Sequence, residues 1–116
     1  VKEIDALGGI MGRAADAAKE AKAMLLIKSV VDHMISETGV EREIPGGNAG
    51  LTVGGTGDAL AGLTASLIAQ GMPHFDAAVT ASTVIKRAGA LLFNEYGHAY
   101  GTRRVIECIP RILKSL

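Results

Sequence analysis

Gly46-Gly47-Asn48-Ala49-Gly50-Leu51-Thr52-Val53-Gly54-Gly55-Thr56-Gly57-Asp58-Ala59-Leu60-Ala61-Gly62 is the stretch around which this chain is organised. Seven glycines, one asparagine, two threonines and one carboxylate occupy its seventeen positions, and it passes without a break into an Ala/Leu-rich helical pattern. Glycine costs backbone entropy, so a cluster marks positive φ angles or backbone that approaches something closely. The N–H groups of a Gly55-Thr56-Gly57 turn at a helix start converge with the positive end of the macrodipole and form an anion site, with phosphate as the expected guest. Gly57 is expected at positive φ, with the space beside it reserved for phosphate.

Asp58 admits two readings. It can cap a helix running from Asp58 to about Gln70, its carboxylate accepting from first-turn N–H groups. Alternatively, a carboxylate beside a phosphate cradle can take a proton from a hydroxyl that attacks the phosphate.

Positions 47 to 63, Gly-Asn-Ala-Gly-Leu-Thr-Val-Gly-Gly-Thr-Gly-Asp-Ala-Leu-Ala-Gly-Leu, resemble the signature of the ADP/ATP-dependent NAD(P)H-hydrate dehydratases of the ribokinase-like superfamily. The usual pattern there is Gly-Asn-Pro-Gly-Met-Ala-x-Gly-Gly-Thr-Gly-Asp-Val-Leu-Ala-Gly, so Ala49 stands for proline and Leu51 for methionine. The resemblance implies an α/β fold, the C-terminal portion of a ribokinase-like three-layer α/β/α architecture, helix-rich with a few strands. It implies Asp58 as the catalytic, substrate-facing base and Gly55, Thr56 and Gly57 as the anion hole, with Asn48 supporting the loop or the nucleotide. The family's Lys-Gly-x-x-Thr/Asp-x-Ile segment corresponds to Lys28-Ser29-Val30-Val31-Asp32-His33-Met34. By resemblance, Lys28, Ser29, Val30, Val31 and Asp32 line the nucleotide phosphates, although Lys28 taken alone also reads as a strand-end lysine with its ammonium in water. A Leu-His-Gly-x-Ala-Gly pattern further on is replaced here by Ile85-Lys86-Arg87-Ala88-Gly89.

Around this centre, Val1 to about Leu7 reads as a helix end interrupted at Gly8-Gly9. Ile10 to about Ala23, with six alanines from Ala14 onward, reads as a second helix. Met24-Leu25-Leu26-Ile27 is a short apolar run, the pattern of a strand buried on both faces in a mixed α/β sheet. Val30 to Ser36 and Val40 to Ile44 form a hairpin through Glu37-Thr38-Gly39. Downstream, the stripe Ala61, Gly62, Ala65, Ser66 and Ala69 predicts close helix packing. Phe75 to about Tyr96 is a long helix that buries Ala78, Ala81, Ile85, Ala88, Leu91 and Leu92 and stops at Gly97. Thr102 is expected to cap a last helix over Arg103 to Leu116, with Val105, Ile106, Ile109, Ile112 and Leu113 inward and a kink or split at Pro110.

A chain of 116 residues with 48% hydrophobic and 21% charged residues suits one ordered domain. Two Tyr, two Phe and no Trp require an aliphatic core. Twelve basic and twelve acidic residues cancel, which argues against nucleic-acid or membrane-surface partners. No apolar run nears the ~20 residues that span a bilayer. The single Cys108 excludes an internal disulfide, suits the cytoplasm and reads as a small core residue. His33, His74 and His98 share no metal-ligand spacing, so no protein-bound metal is expected, whereas Mg2+ carried by nucleotide phosphates needs few protein ligands.

Three functions are consistent with these residues. The first, implied by the resemblance, is repair of hydrated NADH and NADPH with ADP or ATP as co-substrate. The second is a small-molecule kinase of the same superfamily, acting on a vitamin precursor or sugar hydroxyl through the same anion hole. The third is a non-catalytic fragment that needs a partner. Residues 1–116 are expected to be the C-terminal part of one domain, since the chain opens with Val1 inside a helical pattern. Its short apolar strand is expected to pair with the missing N-terminal part or with another subunit in a homo-oligomer.

Overall fold

The computed structural model describes secondary structure for residues 2–116 and side-chain environments for residues 12–116. In chain order the elements are α1 (Lys2–Ala21), β1 (Leu25–Ile27), β2 (Asp32–Ile35), β3 (Glu41–Ile44), a 3-10 turn (Ala49–Thr52), α2 (Thr56–Ala69), α3 (His74–Tyr96) and α4 (Thr102–Ser115). The fold is α/β and helix-rich, with one small sheet.

α3 organises the packing because its side chains are small on two sides. Ala77, Ala81, Val84, Ile85, Ala88 and Leu92 join Leu60 and Leu67 of α2 and Val105, Cys108 and Ile112 of α4 in one aliphatic core. Toward the sheet, Ala78 packs with Met34 of β2 and Ile44 of β3. Alanine lets both layers approach closely, and each fully buried Val84, Ile85 or Val105 contributes about 1.5–3 kcal/mol. Pro73 precedes α3, and Gly97 ends it at φ 61°, its N–H donating to Phe93 O at 2.8 Å.

The sheet order is β1-β2-β3, antiparallel throughout, with Leu26 opposite Met34 and Asp32 opposite Ile44. The expected hairpin is present, turning through Gly39 at φ 87°. The expected strand at Met24 to Ile27 is shorter and only half-buried. Among the described residues it pairs with β2 alone and so is an edge strand rather than one covered on both faces.

Several expectations are corrected. α1 runs unbroken through Gly8 and Gly9, because interior glycines cost a helix only about 1 kcal/mol each and the alanines that follow favour it. α2 starts at Thr56, not Asp58, and its small stripe of Ala61, Gly62, Ala65, Ser66 and Ala69 is exposed. The buried side belongs to Leu60 and Leu67, whose larger apolar area gains more from burial. Leu91 and Ile106, expected inside, are 45% and 49% exposed. Thr102 is the first residue of α4 and Gly101 its N-cap. α4 continues through Pro110, which lies on the solvent side, where water can satisfy the carbonyl its ring leaves unbonded.

Candidate functional site at the glycine loop

The loop from Gly46 to Gly55 is held by bonds from every neighbouring element. Asn48 caps the 3-10 turn: its Oδ1 accepts the Gly50 N–H at 3.0 Å and the Tyr100 hydroxyl, and its Nδ2 donates to Gly89 O of α3 at 3.1 Å. Gly50 and Gly89 are required by close approach. A β-carbon at Gly50 would overlap the Tyr100 ring, and one at Gly89 would lie 2.6 Å from Leu51. Leu51 O accepts the Thr56 hydroxyl at 2.7 Å and the Lys28 ammonium at 3.1 Å. Gly54 O accepts the Thr102 hydroxyl at 2.7 Å, so this threonine pins the loop instead of capping its own helix. Burial holds the Tyr100 phenol above its ordinary pKa, opposed in part by its bond to Asn48.

The loop ends at Gly55, left-handed at φ 98° and the N-cap of α2. The positive φ expected at Gly57 is therefore found two residues earlier, and Gly57 sits inside the first helical turn. The helical ladder opens with the Ala59 N–H donating to Gly55 O at 3.0 Å. Among the described residues, the N–H groups of Thr56, Gly57 and Asp58 consequently have no helical carbonyl one turn behind them, and no side chain caps this end. Asp58 is exposed at the third position of α2, so the alternative of an N-cap does not hold. Lys28, just beyond β1, reaches the same place: a β-carbon at Gly57 would lie 3.8 Å from its Cδ. The Lys28 side chain thus passes beside the first turn of α2, which carries Asp58.

A cavity of about 280 Å3 includes Lys28 in its lining, together with Ser29, Val30, Gly47, Asn48, Leu51, Thr52 and Lys86. Lys28 and Gly57 also line a groove of about 410 Å3 between β1 and the outer side of α2, whose other walls include Leu26, Ala61 and Ala65. Of the residues singled out in the sequence, Lys28, Ser29, Val30 and Asn48 meet at the smaller cavity, and Lys28, Gly55, Thr56, Gly57 and Asp58 meet at the helix start. Asp32 stands apart. It is buried, its Oδ1 accepting the Ser29 N–H at 2.8 Å and its Oδ2 the Ser82 hydroxyl at 2.7 Å, with Lys86 Nζ 3.3 Å from Oδ1. Val31 is half-buried beside it.

Sequence reasoning missed the contributions of Ser82, Lys86, Tyr100 and Thr102. A signal was present for the first two, a serine and a lysine one turn apart on the apolar side of α3. Among the described residues no group of three or more His, Cys, Asp or Glu is arranged to hold a metal ion, and no helix is long and apolar enough to cross a membrane.

The family described as NAD(P)H-hydrate dehydratase matches residues 4–111. An ADP-dependent (S)-NAD(P)H-hydrate dehydratase of Natrialba magadii is 40% identical over 96 residues, which is 83% of this chain and 37% of that protein. A bifunctional NAD(P)H-hydrate repair enzyme of Methanothermobacter thermautotrophicus is 38% identical over 92 residues, 79% of this chain and 18% of that protein. A second ADP-dependent (S)-NAD(P)H-hydrate dehydratase, from Haloterrigena turkmenica, is 31% identical over 83% of this chain. The chain spans little more than a third of the first of these relatives, matching 37% of its length.

Proposed function

Since this chain belongs to the NAD(P)H-hydrate dehydratase family, we propose that it serves the nucleotide-dependent removal of water from hydrated NADH or NADPH. The observation that carries this reading is the start of α2, where the N–H groups of Thr56, Gly57 and Asp58 lack helical partners, the Asp58 carboxylate is exposed, and the Lys28 side chain passes beside Gly57 with its ammonium on Leu51 O. The first-turn N–H groups and Lys28 hold the phosphoryl group of ADP or ATP, and Gly55 supplies the left-handed turn that aims them. Asp58 takes the proton of the substrate hydroxyl as that oxygen attacks the terminal phosphorus. The phosphorus–oxygen bond to the nucleotide breaks; phosphate then leaves with the electron pair of its bond to carbon, the adjacent ring carbon gives up a proton to water, and the electron pair of that C–H bond forms the nicotinamide double bond. Ser29, Val30 and Val31 line the nucleotide side, while Asn48 shapes the loop.

Asp58 is the one acidic side chain in the first turn of α2, so an Mg2+ arriving with the nucleotide would take most of its ligands from the phosphates and water. Residues 1–116 are read as the C-terminal part of one ribokinase-like domain, a reading supported by the unpaired edge of β1 and by the fraction of the relatives that the chain covers. The test is direct: full-length protein is incubated with hydrated NADH plus ADP or ATP, and recovery of the nicotinamide absorbance is followed. Recovery that depends on either nucleotide supports the reading; no recovery with both refutes it.

A further inference from the structure

Building on the nucleotide-dependent reading above, we propose that Lys86 of α3 is a positioning residue for the nucleotide phosphates, acting through the backbone of the Ser29-Val30-Val31 turn. Its ammonium donates to Ser29 O at 2.7 Å and Val30 O at 3.0 Å and lies 3.3 Å from Asp32 Oδ1. Two of its donors are therefore spent on successive backbone carbonyls, and the Asp32 carboxylate balances its charge. Lys86 is also only 6% exposed. Its two hydrogen bonds go to the backbone of the turn, although its side chain also lines the cavity. Lys28 differs: it is exposed and gives one bond, to Leu51 O.

What Lys86 does is set two successive peptide planes. Among the described residues every peptide bond is trans, and in a trans peptide the carbonyl and the N–H point in opposite directions. Drawing Ser29 O and Val30 O onto Nζ turns the N–H groups of Val30 and Val31 away from the ammonium. Successive N–H groups turned outward beside a free cation make an anion-binding arrangement, and this turn walls the cavity shared with Gly47 and Asn48. Asp32 completes the clamp, balancing the buried charge and holding the Ser29 N–H at 2.8 Å. Gly47 makes room for it, since a β-carbon there would sit 2.7 Å from Val30 O and 2.9 Å from Lys86 Nζ. The neighbouring Arg87 is exposed, so basicity alone does not place Lys86.

The test uses full-length protein with hydrated NADH and varied ADP or ATP. Lys86→Met removes the clamp and is expected to raise the KM for nucleotide about ten- to hundredfold, with kcat and the KM for hydrated NADH changed by less than about twofold. Because that variant leaves Asp32 buried and unpaired, the double variant Lys86→Met with Asp32→Asn is measured beside it. It removes the orphan charge and is expected to fold and to show the same rise. A wild-type nucleotide KM in either folded variant overturns the proposal, as does a fall in kcat alone, the mark of a merely structural role. A wild-type protein that neither turns over nor binds nucleotide would instead overturn the underlying functional reading.

Discussion

The turn Lys28 to Asp32 and the helix start Gly54 to Asp58 each carry one aspartate, and the two are treated in opposite ways. Asp32 lies at the foot of β2 with both oxygens claimed, by Ser29 and Lys86 on one and Ser82 on the other. Asp58 lies in the first turn of α2, exposed, beside N–H groups without helical partners. A carboxylate whose lone pairs are filled by the protein stabilises the protein. One left open beside donors for a phosphate is available to a substrate. The difference lies in what α3 presents: Ser82 and Lys86 face β2, whereas the start of α2 opens to the outside.

The largest effect is expected where the open carboxylate is removed. Asp58→Asn in the full-length protein should lower turnover ~10²–10⁴-fold with nucleotide affinity unchanged or improved, because the proton acceptor is lost together with a negative charge beside the phosphates. Steady-state kinetics with a parallel nucleotide titration checks this. Turnover above half that of wild type would erase the distinction between the two aspartates.

Asp32→Ala should act on folding first. It strips a buried cation of its counter-charge, a change that costs about 3–5 kcal/mol. Denaturant unfolding should show a large drop in midpoint, whereas Asp58→Asn should leave that midpoint nearly in place. Equal midpoints for the two variants would mean that Asp32 is not structural.

Gly50→Ala should be intermediate. Its added methyl must displace the Tyr100 ring, an overpacking cost of about 1–3 kcal/mol. Gly54→Ala, at a position where a β-carbon meets nothing within 4 Å, is the control and should unfold close to wild type.

Tyr100→Phe should be smallest, about 1 kcal/mol for the lost bond to Asn48. Its diagnostic is pH. Burial raises the phenol pKa in the folded state above its ordinary 10.0, so the folded form holds this proton more tightly than the unfolded chain does. The resulting stability is complete below about pH 10 and is lost as pH rises through the folded-state value. Unfolding midpoints measured from pH 8 to 11 should decline above 10 in the wild type and decline less in Tyr100→Phe.

Local chemistry was legible wherever one stretch of chain carried it alone. The glycine loop, the helix that follows it, the hairpin at Gly39 and the stop at Gly97 all rest on turn and cap preferences of consecutive residues. The aliphatic core followed from the scarcity of aromatics. Faces were read less well: Leu91, Ile106 and the small stripe on α2 were all expected inside and lie outside. Periodicity names the members of a stripe, but which of two stripes turns inward depends on the neighbours available to cover it. Of the kink or split expected at Pro110, the split is absent for a related reason, since a lost helix bond is cheap on a side that water can reach.

The sequence by itself determined that a glycine turn opens a helix at a carboxylate, because backbone freedom and the helix dipole are properties of adjacent residues. It also contained Lys28 as a strand-end cation. Only the tertiary structure decided that Gly55 rather than Gly57 takes the left-handed angle, that Thr102 and Tyr100 pin the loop, and that Asp32 is spent on Lys86 across 54 positions of chain. Such assignments depend on which distant donors reach a given acceptor. That is set by the packing of α3 between the sheet and its two neighbouring helices, and no local pattern encodes it.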